Sequence, residues 1–103
     1  MTRPLVTQQA RADIRDILLY LLDRSPDASK RVKHRIQEAV RFLGENPGAG
    51  HERSDLTMRP VRFWAVHSYL IVYRSDVNPI HILRVLHGAQ DLPALLRPGD
   101  AQP

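Results

Sequence analysis

Residues Val61 to Leu92 read VRFWAVHSYLIVYRSDVNPIHILRVLHGAQDL. Three apolar runs, separated by short polar breaks, predict three strands: Val61 to Val66, Ser68 to Arg74 and Ile80 to Leu86. Ser75-Asp76-Val77-Asn78-Pro79 is turn chemistry between the second and third. A strand with one wet face alternates apolar and polar residues. These strands do not: Leu70-Ile71-Val72, Ile82-Leu83 and Val85-Leu86 put apolar groups on both faces. Beyond Gly88, Asp91 to Leu96 predicts a short final helix or turn.

Upstream, the period changes from two to about 3.6. Leu5 and Val6 predict a short edge strand, and Thr7 an N-cap. Ile14, Ile17, Leu18, Leu21 and Leu22 then form a helical apolar stripe, with Arg11, Asp13, Arg15 and Asp16 on its solvated side. Ser25-Pro26-Asp27 ends this helix and starts the next: Ser25 caps, Pro26 suits the first helical position, and Asp27 suits the positive end of the helix dipole. Val32, Ile36, Ala39, Val40 and Leu43 repeat the spacing, and Gly44, Asn46, Pro47 and Gly48 end it. Helices joined this tightly form an antiparallel hairpin. Residues 46–60 predict a loop rich in glycine and charge. The expected fold is α+β: a two-helix hairpin on a small, mainly antiparallel sheet of about four strands, with a short C-terminal helix. A helical hairpin covers one face of that sheet. The other needs the last helix, a second copy or a different protein.

A chain of 103 residues supports one domain, here residues 1–97, with a mobile tail from residue 98. With no cysteine, disulfide scaffolds, thiol nucleophiles and cysteine-based zinc sites are excluded. Apolar runs fall far short of a membrane span, and the N-terminus has no signal-peptide core, so the expected location is cytoplasmic. The net charge is +4, and thirteen of the fifteen basic residues are Arg. That balance favours an acidic partner, nucleic acid or protein.

Five histidines (His34, His51, His67, His81 and His87) show no metal-ligand spacing, so no metal or other cofactor is expected. His87 ends a strand beside Gly88, where a side chain can face a cleft. With Arg62, Arg84 and Glu52 or Arg59 it offers an acid–base set for RNA cleavage: a base for the 2′-hydroxyl, an acid for the leaving oxygen and cations for the phosphate. The ordinary alternative is a strand-end histidine bonded to backbone. Trp64, Tyr69 and Tyr73 beside Arg62 and Arg74 suit either base stacking or core packing. Lys30, Arg31, Lys33, Arg35 and Arg41 form a basic helix face that can meet phosphates or simply be solvated.

Several pieces, in this order, resemble the ParE/RelE toxin superfamily, and its ParE branch in particular: Ala10, Asp13, Ile14 and Ile17 on the first helix; Asn46, Pro47 and Gly50 in the loop; Arg59-Pro60-Val61-Arg62; Tyr69-Leu70-Ile71-Val72-Tyr73-Arg74; and Arg84-Val85-Leu86-His87-Gly88 with Asp91-Leu92. The resemblance runs from about Leu5 to Leu96. It implies the toxin of a bacterial type II toxin–antitoxin pair, bound by an antitoxin that wraps it. ParE-like members block DNA gyrase. RelE-like members cut messenger RNA on the ribosome and carry an Arg after the first Tyr of the central strand, where this chain has Leu70. The expected activity is therefore gyrase inhibition without catalysis, through Arg62, Trp64, Arg84 and His87. Leu18, Leu22, Tyr69, Ile71 and Tyr73 are the expected antitoxin contacts. A ribosome-dependent RNase using His87, and an inactive toxin-fold binding module, are the alternatives.

Overall fold

Thr7 sets the geometry of the N-terminal third. A computed structural model describes residues 3–52 and 60–88, and in it Thr7 joins strand β1 (Leu5–Val6) to helix α1 (Gln8–Arg24). Its Oγ1 accepts the Ala10 N–H at 3.2 Å and donates to the Leu83 carbonyl at 3.2 Å. One hydroxyl thus caps the helix and pins it to the sheet.

A single residue separates α1 from α2 (Pro26–Glu45). Ser25 donates its backbone N–H to Leu21 O, closing α1, and accepts the Ala28 N–H on its hydroxyl, opening α2. Ser29 ties the helices again through Leu18 O at 2.9 Å. The predicted hairpin is therefore observed, and the second helix runs through Gly44 to Glu45 before Asn46 caps it.

Strands β2 (Arg62–Val66), β3 (Tyr69–Arg74) and β4 (His81–His87) lie within one residue of their predicted limits. The sheet order is β1-β4-β3-β2, with β1 parallel to β4 and the other pairs antiparallel. Val66 pairs with Tyr69 across a two-residue turn whose His67 has φ 54°, the positive value that tight hairpins require. In the preceding loop, His51 and Phe63 exchange backbone hydrogen bonds of 2.8 and 2.9 Å, covering part of the β2 edge.

The helices bury Ala10, Ile36, Ala39 and Leu43 against Val66, Ile71, Tyr73, Ile82 and Val85 on one face of the sheet. Val61, Phe63, Val72, Leu83 and Leu86 form a second cluster. These five are at most 4% exposed within the single chain, so neither a second copy nor a foreign protein is needed to cover them. The predicted final helix and the tail lie outside the described residues.

Asp13 corrects the sequence reading. Expected on the solvated side of α1, its carboxylate is only 11% exposed. It accepts from Arg84 Nε at 2.9 Å, from an Arg84 terminal nitrogen at 3.2 Å and from the Val85 N–H at 3.0 Å. Periodicity places Asp13 off the apolar stripe, but it cannot reveal that β1 stops at Val6 and leaves the β4 edge facing this turn of α1.

Tyr73 holds the loop after α2. Its hydroxyl accepts the Gly50 N–H and donates to Pro47 O, both at 2.8 Å. A Cβ on Gly50 would sit 2.5 Å from that oxygen, so glycine is required there. Burial pushes the Tyr73 hydroxyl pKa above its ordinary value; the Gly50 hydrogen bond and Arg62 offset part of this.

Two outcomes follow from these contacts. Removing one partner of a buried ion pair costs about 3–5 kcal/mol, so Asp13→Ala should destabilise the chain by roughly that amount in urea denaturation. Asp13→Asn, which still accepts from Val85, should cost less; a loss below about 1 kcal/mol for Asp13→Ala would contradict the role given to this carboxylate. Tyr73→Phe should cost about 1–3 kcal/mol by leaving buried polar groups unpaired. Because the folded-state pKa of Tyr73 is raised, its contribution is full below the unfolded value near pH 10 and lost as pH rises through the folded value. The stability gap between wild type and Tyr73→Phe should therefore narrow in strong alkali.

Candidate functional surface

The four residues expected to meet a target do not form one site. Arg62 begins β2 opposite Tyr73, while His87 ends β4 opposite Tyr69, which pairs in turn with Val66. Four residues of strand separate those rows, roughly 13 Å at 3.3 Å per residue. Arg62 holds its own neighbourhood together: it donates to Ser75 Oγ at 3.1 Å and Gly50 O at 2.9 Å, and lies 3.5 Å from Glu52. Arg84 is 12% exposed and engaged by Asp13. The acid–base set of His87 with Arg62, Arg84 and Glu52 is therefore not assembled, and Arg59 lies outside the described residues.

Trp64 sits on the helix-facing side of β2, its ring 5.3 Å from Phe42 of α2 and tilted by 32°. The two rings line a shallow groove with Arg35, Glu38 and the His67 turn. Phe42 is 42% exposed, so this aromatic pair is open to solvent on one side.

At the far end of the sheet, exposed His87 meets Tyr69 edge-on at 5.5 Å. Burial raises the Tyr69 hydroxyl pKa, and nearby Tyr20 raises it further. Tyr20 is 56% exposed and carries the Arg24 guanidinium 3.7 Å above its ring. This corner joins Tyr20 and Arg24 of α1 to Tyr69 and His87 of the sheet. The sequence reading missed the helical pair. Its one signal was the i, i+4 spacing of an aromatic and an arginine, common on solvated helices.

Of the expected antitoxin contacts, Ile71 and Tyr73 are fully buried. They lie on the central strand under the helices, so they support a surface rather than present one. Leu18 is half-buried and Leu22 is 51% exposed one turn further on. Leu18 belongs to a groove of about 530 Å³ along the α1–α2 seam. Ile14, Leu18, Leu19, Ile36 and Val40 give it an apolar lining, and Arg11, Arg15 and Lys33 join them. Leu19, at 57% exposure, was not singled out from the sequence because it falls beside the stripe rather than on it. Among the described residues no group of three or more His, Cys, Asp or Glu could hold a metal ion, and no helix is long and apolar enough to cross a membrane.

Comparison with known proteins agrees with this architecture. The chain is 27% identical over 86 residues to Toxin RelE1 of Caulobacter vibrioides, covering 84% of this chain and 92% of that protein. A solved chain of the chromosomal ParDE TA system from P. aeruginosa superposes with a TM-score of 0.70 at 24% identity, covering 84% of this chain and 96% of that one, which shows a shared fold. Residues 5–92 match the family model of the ParE toxin of the type II toxin–antitoxin system parDE. With its hairpin, its four-stranded sheet and that match over most of its length, the chain belongs to the ParE toxin family.

Proposed function

We propose that this protein is a toxin that inhibits DNA gyrase by binding it, and that a cognate antitoxin neutralises it. The observation that carries this reading is the use made of the arginines. RNA cleavage needs cations beside the acid–base group to stabilise the phosphate in its transition state. Here Arg84 is engaged by Asp13, and Arg62 braces the loop at Gly50 in another part of the sheet. The family match supports the toxin role. Two exposed features of the described residues suit contact with a partner: the Phe42–Trp64 groove and the Tyr20–Tyr69–His87 corner.

The α1–α2 groove fits the antitoxin. An apolar lining flanked by Arg11, Arg15 and Lys33 complements an amphipathic helix with acidic residues along its edges. Among the described residues the acidic partner of Arg15 is exposed Asp16 at 3.6 Å, a solvated contact that leaves the Arg15 charge accessible.

One observation favours ribosome-dependent RNA cleavage as the second reading: His87 is exposed at a strand end, beside a tyrosine and Gly88. A histidine acid–base group contributes about 10²–10⁴-fold in rate.

The purified chain should abolish supercoiling of relaxed plasmid by gyrase and ATP, with linear DNA accumulating. Unchanged supercoiling, together with cleavage of ribosome-bound messenger RNA that His87→Ala removes, would replace the leading reading with the second. Inactivity in both assays would leave a binding module. In the groove, Leu19→Glu should weaken the cognate antitoxin's binding by at least about tenfold, as expected when an acid displaces an apolar contact at an interface core. Titration calorimetry measures this, and an unchanged affinity would place the antitoxin elsewhere.

A further inference from the structure

Lys33 borders the α1–α2 groove and Arg35 the Phe42–Trp64 groove, and the outer face of α2 between them carries further positive charge. Between Asp27 and Glu38 the helix carries Lys30, Arg31, Lys33 and Arg35 with His34 and no carboxylate, and Arg41 follows one turn later. All six of these side chains are exposed. Among the described residues none of the five Lys and Arg side chains has an acidic partner; the carboxylate on this face, Glu38, lies 3.3 Å from His34 Nε2. By contrast, α1 balances Arg11, Arg15 and Arg24 against Asp13, Asp16 and Asp23.

The positions matter as much as the count. At 3.6 residues per turn, Lys30 and Lys33 fall on one flank of the exposed face and Arg31 and Arg35 on the other, with His34 and Arg41 between. The cations extend roughly 16 Å along the axis, at 1.5 Å per residue. A helix with its side chains is about 10–12 Å across, and the B-form major groove is about 12 Å wide, with phosphates along both walls. The A-form major groove is too narrow for side chains to enter. Cations on two flanks of one helix therefore match the two phosphate rows of duplex DNA better than those of duplex RNA.

We infer that the outer face of α2 binds the phosphate backbone of double-stranded DNA, so that the chain grips DNA directly. The inference stands apart from the gyrase reading, because it concerns the free chain and needs no enzyme. Contacts to phosphate carry no sequence information, so the binding supplied by the two flanks should be largely independent of sequence. The acids that oppose it on this helix are Asp27, Glu38 and Glu45. Glu38 lies nearest the cations, already drawn to His34.

The experiment is fluorescence anisotropy of a labelled 20-base-pair DNA duplex, titrated with the purified chain over a series of salt concentrations. Each neutralised phosphate contributes a slope of about −0.9 in log affinity against log salt. Four or five contacts should therefore give a slope near −4. The variant Lys30→Ala/Arg31→Ala/Arg35→Ala/Arg41→Ala should lower the affinity at least tenfold and flatten the slope, while its circular dichroism and melting temperature stay near wild type. Should that variant fold poorly, Glu38→Gln tests the same face from the other side. It removes an opposing charge and should tighten binding several-fold, whereas Arg15→Ala on α1 should leave it within twofold. A slope near zero would overturn the inference. So would equal weakening by Arg15→Ala, no tightening by Glu38→Gln, or tighter binding to an RNA duplex of the same sequence.

Discussion

The carboxylate of Asp13 completes the sheet where β1 runs out. β1 covers only His81 and Ile82 of β4. Beyond that point β4 offers backbone groups to a helix, and a helix has no ladder with which to answer them. A buried N–H left unpaired costs on the order of 1–3 kcal/mol. Thr7 takes the Leu83 carbonyl and Asp13 takes the Val85 N–H, so two side chains of the β1–α1 segment do the work of further strand. Arg84 then neutralises the buried carboxylate. The groups are coupled: without Arg84 the buried carboxylate loses its neutralising charge, and without the acid the Val85 N–H loses its acceptor.

This arrangement decides which residues can face a partner. Arg84, attractive as a phosphate ligand in the sequence, is drawn inward. Arg62 serves the loop that Tyr73 also holds, so two neighbouring side chains fix residues 47–50 against the sheet. Among the described residues, most of the positive charge left for outside contacts lies on the helices, along the α1–α2 groove and over the outer face of α2. These surfaces differ in character. The groove joins an apolar lining to cations and suits a folded acidic segment. The outer face of α2 is dominated by charge and suits a polyanion.

Much of this was legible in the sequence. The two helices follow from their apolar spacing, and Ser25-Pro26 marks the junction because capping is a local interaction. The strands follow from β-branched and aromatic runs bounded by turn residues, and the ParE resemblance followed from the order of those pieces. Long-range pairing was not legible. Nothing in the residues around Asp13 announces a partner 71 positions away. Nor could spacing show that Ile71 and Tyr73 are enclosed while Leu19 and Tyr20 are exposed. The sequence by itself determined which segments are helix and strand, because propensity, capping and periodicity act over a few residues. Only the tertiary structure decided which polar groups are structural and which remain available, because that depends on what each segment meets when the chain closes on itself.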